Sequence, residues 1–142
     1  KIIAELESYN KPATLVRGLP GNITLPHIPE GVKVHNHVAA KQLNEMICGA
    51  SVVIGRCGYT TVMDLLKLQK KCILIPTPGQ AEQEYLARHL HNSQQAYTVT
   101  QNNFSLLQAL QAAEKFTYKK PEASMEEYKS HLAQFVASLY TA

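Results

Sequence analysis

The chain has 142 residues, enough for one hydrophobic core and too few for two large lobes. Its 45% hydrophobic and 18% charged content excludes a disordered or fibrous chain. A net charge of +3, with lysines in short clusters rather than in a stripe with aromatics, leaves no footprint for nucleic acid.

The segment Lys1 to Tyr9 carries Ile2, Ile3 and Leu6 at helical spacing with no cap before it, and the chain does not begin with Met. The expectation is the tail of a helix in a fragment of a longer protein. Ala13 to Val16 reads as a short strand closed by Arg17-Gly18. The proline- and glycine-rich run from Leu19 to Gly31 reads as a loop. Val32 to Val38 alternates apolar and polar residues, as a strand does. Ala39 to Ala50 follows as a helix with Leu43, Met46 and Ile47 on one face.

Ser51 to Ile54 is the third expected strand, and Thr60 to Leu68 a helix burying Val62, Leu65 and Leu66. Cys72 to Ile75 is a strand stopped by Pro76-Thr77-Pro78-Gly79. Ala81 to His91 is a helix, Ala96 to Val99 a strand, and Asn102 to Phe116 a helix capped by Asn102 or Asn103. After a break at Lys119-Lys120-Pro121, the residues Met125, Tyr128, Leu132, Phe135 and Leu139 form a last amphipathic stripe. Short apolar strands alternating with longer helices predict an α/β domain, a doubly wound, Rossmann-like parallel sheet covered on both faces.

No apolar run approaches the ~18 residues of a membrane span, and no signal-peptide pattern opens the chain. Cys48, Cys57 and Cys72 have neither a disulfide framework nor a zinc spacing, so they read as small hydrophobes in a reducing compartment. The expected location is the cytoplasm, the inner face of the membrane included.

Ligands of open α/β sheets bind outside the carboxyl ends of the strands. Here the stretch Arg56-Cys57-Gly58-Tyr59-Thr60-Thr61 joins a strand end to a helix start. Gly58 lets the main chain bend and approach a ligand. The helix start offers unpaired N–H groups and a positive dipole end. Thr60 and Thr61 add hydroxyls, and Arg56 a cation. Asp64, one turn in and off the core stripe, suits the paired hydroxyls of a ribose. On these residues alone, a short connection with capping threonines and a solvated Asp64 fits equally well.

Arg56 to Asp64 resembles the R-x-G-x-x-T-x-x-E segment of GT-B glycosyltransferases, and the nearest group is the family 28 peptidoglycan N-acetylglucosaminyltransferases. Cys72 to Gly79, with Glu82, Gln83 and Ala87, resembles that family's next strand, proline loop and helix. The resemblance implies the donor-binding half of a GT-B fold, spanning residues 1–142 as one domain. It places Asp64 on the ribose of a uridine diphosphate sugar and the Gly58 to Thr61 turn at the diphosphate. It also places the Glu82-Gln83 pair at the sugar and His37-Val38 near the base. Asp64 stands where the family has Glu, and Leu86 where it often has Asn. The family's glycine-rich first strand, central in its sheet between the strands at Ala13 and Ser51, and its acceptor lobe are absent from the chain. The catalytic base is then expected in that lobe or in a partner subunit.

The implied reaction is sugar transfer from a UDP-sugar donor, with no separate cofactor and no metal. Two rivals stand beside it. A nucleotide-sugar epimerase would need Glu82 and Glu84 as acid and base. A non-catalytic nucleotide-binding subunit would use the Tyr128-Leu132-Phe135-Leu139 stripe for its partner. His35 and His37 share a strand face without a third ligand. Cys57 sits at a helix start, where the thiol pKa is expected to fall. His89, His91, Lys67, Lys70 and Lys71 read as partners of helix dipoles.

Overall fold

The computed structural model describes residues 2–21 and 27–120. The stripe from Met125 to Leu139 lies outside the described residues. Among the described residues ten elements follow in order: α1 (Ile2–Leu6), β1 (Ala13–Val16), β2 (Val32–His35), α2 (Ala40–Gly49), β3 (Val53–Arg56), α3 (Tyr59–Lys67), β4 (Cys72–Ile75), α4 (Ala81–Asn92), β5 (Tyr97–Thr98) and α5 (Leu106–Lys115). Every strand pairing among the described residues is parallel. β1 runs beside β2, and β3, β4 and β5 form a second sheet in that order. This is the α/β alternation read from the sequence.

The core lies on both faces of β4, where Cys72, Ile73 and Leu74 are almost wholly buried. Cys72 and Leu74 point to one side, among Val62 and Leu65 of α3 and Ala87 and Leu90 of α4. Ile73 points to the other, among Leu6 of α1 and Leu106, Ala109 and Ala113 of α5. β1 and β2 pack Ala13, Leu15, Val32 and Val34 into this second cluster, under the same helices. Two separate sheets therefore share one helical cover.

Four expectations are corrected. The third strand is Val53–Arg56, not Ser51 to Ile54, because its ladder pairs Val53 with Cys72 and Arg56 with Ile75. Hydrogen-bond register, not the apolar run, sets its ends. Helix α2 buries no residue fully, and Leu43 is 38% exposed; only Ile47 of the expected face packs on the core. The Lys70 ammonium instead holds this helix by its C-terminal end, donating to the Cys48 carbonyl at 2.6 Å and the Ala50 carbonyl at 3.0 Å. Lys70 thus serves the dipole of α2 and not of its own helix. Helix α5 starts at Leu106, without an asparagine cap. Its Leu106 N–H donates to Glu5 Oε2 of α1 at 2.8 Å, a cap supplied from 101 residues away.

Helices α3 and α4 end alike. Gln69 and Gln94 adopt φ of 51° and 60°, the left-handed conformation usually left to glycine. The amides that follow fold back, Lys70 N–H onto the Leu65 carbonyl and Gln95 N–H onto the Leu90 carbonyl. Left-handed backbone costs a side-chain-bearing residue about 1–2 kcal/mol. Glycine gives back about 0.4–1 kcal/mol through a freer unfolded chain. Gln69→Gly should therefore stabilise the domain by about 0.5–1 kcal/mol, read as a higher urea midpoint at constant slope. Glu5→Ala should lower stability by about 1 kcal/mol in the same measurement.

Candidate functional site

Within each parallel sheet the strands release their carboxyl ends on one side, and the polar loops gather there. β3 ends at Arg56, and α3 begins three residues later, at Tyr59. Helical pairing starts with the Val62 N–H to the Gly58 carbonyl at 2.9 Å. The amides of Tyr59, Thr60 and Thr61 thus have no partner within the helix and point outward with its positive end. Gly58 itself has φ −79°, open to any residue. The bend does not need glycine. A Cβ at Gly58 would meet nothing within 4 Å, so the missing side chain keeps the approach to the helix start clear.

Val62 and Leu65 anchor α3 inward, which turns Thr60 and Asp64, four residues apart, to solvent on one face. The Asp64 side chain makes no hydrogen bond among the described residues. It stands one turn, about 5 Å, along the helix from the free amides. Thr61 is half-buried, its methyl 3.7 Å from a Cβ built on Gly55, so it also packs α3 onto β3. Tyr59 is 52% exposed beside them.

Arg56 reaches across to the loop after β5, where its Nη2 donates to Gln101 Oε1 at 2.7 Å. After β4, Thr77-Pro78-Gly79-Gln80 makes a tight turn closed by the Gln80 N–H to the Thr77 carbonyl at 3.1 Å, with Gly79 at φ +81°. Gln83 stiffens this turn: its Oε1 accepts the Thr77 N–H at 3.0 Å and its Nε2 donates to Gln80 Oε1. Glu84 Oε1 accepts the Gly79 N–H at 3.0 Å, and Glu82 stays in solvent. After β2, His37 is exposed while Val38 is buried. Arg17 Nη1 donates to Asn36 Oδ1 at 2.8 Å, tying the ends of β1 and β2 together.

A cavity of about 400 Å³ opens beside the Arg56–Gln101 bond, walled by Pro76, Pro78, Glu84, Arg88, Thr100 and Asn102. Its size suits a small molecule. Arg88, Thr100 and Gln101 escaped the sequence reading, although the segment after β5 is a strand end like the others.

Cys57 and Cys72 are buried, and burial pushes the Cys57 thiol up, against the fall expected at a helix start. Burial and then the neighbouring Cys57 push Cys72 up to about 11. His91 Nδ1 lies 3.3 Å from both the N–H and the hydroxyl of Thr98, and its ring packs on Tyr97 and Phe116. His91 thus joins α4 to β5. No helix of the described residues is long and apolar enough to cross a membrane.

The model of the glycosyltransferase family 28 C-terminal domain matches residues 32–139. The chain belongs to that family. Among solved structures, the spinosyn forosaminyltransferase SpnP matches at a TM-score of 0.50 and 16% identity, over 72% of this chain and 33% of that one. The likeness supports the Rossmann-like half of a GT-B fold, and this family 28 chain spans about a third of the length of that structure. No curated protein matches the chain.

The thiols offer a check on the packing. At pH 8 an alkylating reagent should modify the exposed Cys48 promptly, because the raised pKa leaves Cys57 and Cys72 protonated as well as covered. Mass spectrometry should find one label in the folded chain and three after denaturation.

Proposed function

We propose that this domain binds the UDP-sugar donor of a glycosyltransferase that moves the sugar to an acceptor hydroxyl. The observation that carries the reading is the start of α3. Free helix-terminal amides, an unobstructed glycine and a free carboxylate one turn along fit a diphosphate and the ribose it esterifies. Tyr59, Thr60 and Thr61 hold the diphosphate, and Asp64 accepts from the ribose hydroxyls. Such donors stabilise a departing diphosphate through fixed dipoles. The Arg56 cation adds to this when it leaves Gln101.

His37 and Val38 border the base. The sugar lies toward the proline loop that Gln83 braces, with the cavity beside Arg56 and Glu82 at its edge. Glu84 is engaged by the Gly79 amide, which argues against an epimerase acid.

The acceptor lobe and the base that deprotonates the acceptor belong to another part of a longer protein or to a partner subunit. A strand between β1 and β3 belongs there too. Both sheets lie under α1 and α5, and β1 and β3 each leave one edge unpaired among the described residues. A strand preceding α1 would reach that edge of β1 by the usual right-handed crossover. Cytoplasmic work, the inner face of the membrane included, is supported by the three free cysteines.

The test is donor kinetics on the longer protein at saturating acceptor. A charge-assisted bond to a hydroxyl contributes roughly 1.5–3 kcal/mol, so Asp64→Ala should raise donor KM about 10- to 100-fold. Ribose contacts change little on the way to the transition state, so kcat should move less. Gly58→Ala should keep the domain folded, since its Cβ meets nothing, and yet weaken donor binding. An unchanged donor KM in Asp64→Ala with a collapsed kcat would assign Asp64 to the chemistry instead.

A further inference from the structure

The opposite end of the second sheet carries a feature that the donor site does not use. Below the amino ends of β4 and β5, the segment after α5 folds back under the sheet. The Lys119 N–H donates to the Gln94 carbonyl at 2.8 Å, and the Tyr118 hydroxyl donates to the Cys72 carbonyl at 3.1 Å. These two bonds bring Lys119 and Lys120 beside Lys70 and Lys71, which lie some fifty positions earlier in the chain. The four lysines line a pocket of about 190 Å³ together with Leu66, Gln69, Gln95 and Tyr118.

Lys70 is committed to the carbonyls of α2. Lys71 stands 5.9 Å over the Tyr118 ring. The ammonium groups of Lys71, Lys119 and Lys120 meet no carboxylate among the described residues. Like charges held together destabilise a fold unless an anion answers them. The pocket has the volume of about six waters, enough for a phosphate or diphosphate group.

We propose that this pocket is an anion site, separate from the donor site, that binds phosphate-bearing ligands through Lys71, Lys119 and Lys120. Tyr118 is the platform over which Lys71 stands. Burial, then Cys72 and Tyr97, pushes its phenol up to about 12, so it stays a neutral donor to Cys72 and adds no negative charge. The ligand's phosphate can belong to a soluble metabolite or to a phospholipid headgroup.

Titration of inorganic pyrophosphate into the full chain, followed by amide NMR, tests the site. The expected result is saturable shifts at Lys71, Gln95, Tyr118 and Lys119, distinct from any at Gly58 to Thr61. The combined Lys71→Ala, Lys119→Ala and Lys120→Ala variant should weaken those shifts about tenfold, each surface pair being weak alone. The triple lysine-to-arginine variant should keep them, and strong salt should remove them. Flotation with phosphatidylglycerol against phosphatidylcholine vesicles separates the sources. Retention on the former that the alanine variant loses points to the headgroup, and its absence beside a normal pyrophosphate response points to the soluble ligand. Two outcomes overturn the proposal: no response at these amides with no vesicle binding, or a response that the alanine variant, folded by circular dichroism, leaves intact.

Discussion

The structure depends on β4 being covered on both faces. Ile73 is fully buried under α1 and α5, while Cys72 and Leu74 are sealed by α3 and α4. A strand buried on both sides cannot alternate apolar and polar residues, which is why Cys-Ile-Leu-Ile reads as a continuous apolar run. Its ladder then sets β3 on one flank and β5 on the other, and so decides where Arg56 and the loop after β5 emerge. Removing the interior of β4 would uncouple both helical layers at once.

The rim at the carboxyl ends follows from that middle. The strands deliver polar loops to one edge, and hydrogen bonds between loops hold the edge in shape. Arg56 ties β3 to the β5–α5 loop, and Gln83 and Glu84 brace the proline turn from the first turns of α4. The helix start at Tyr59 is left with its amides open. Rigid packing beneath and unspent polar groups above are what a pre-organised binding surface requires.

The order of elements was legible because each short strand shows as a continuous or alternating apolar run and each longer helix as a 3.6-residue stripe. β1 and β4 fall where the runs place them, and the cores of α3 and α4 follow Val62, Leu65, Ala87 and Leu90. Boundaries fared worse where a distant partner set them. β3 extends through Gly55 to Arg56 because β4 offers a ladder there. α5 needs no asparagine because Glu5 lies over its first amide. Leu43 belongs to an apolar stripe and still faces solvent, because amphipathic spacing says which face could be buried, not whether anything covers it.

The site divides in the same way. Residue type and local spacing alone place a glycine, two threonines and a carboxylate around a helix start, because a strand, a turn and a helix are built from neighbours in the chain. The sequence also carries the family-like motif from Arg56 to Asp64. Tertiary structure alone decided that Arg56 meets Gln101, that Gln83 turns back onto Thr77, and that Cys57 is buried rather than activated. It alone gathered the lysines at 70, 71, 119 and 120 around Tyr118. Each of these joins residues that the chain keeps apart or turns a side chain by the packing around it, and neither periodicity nor spacing carries that information.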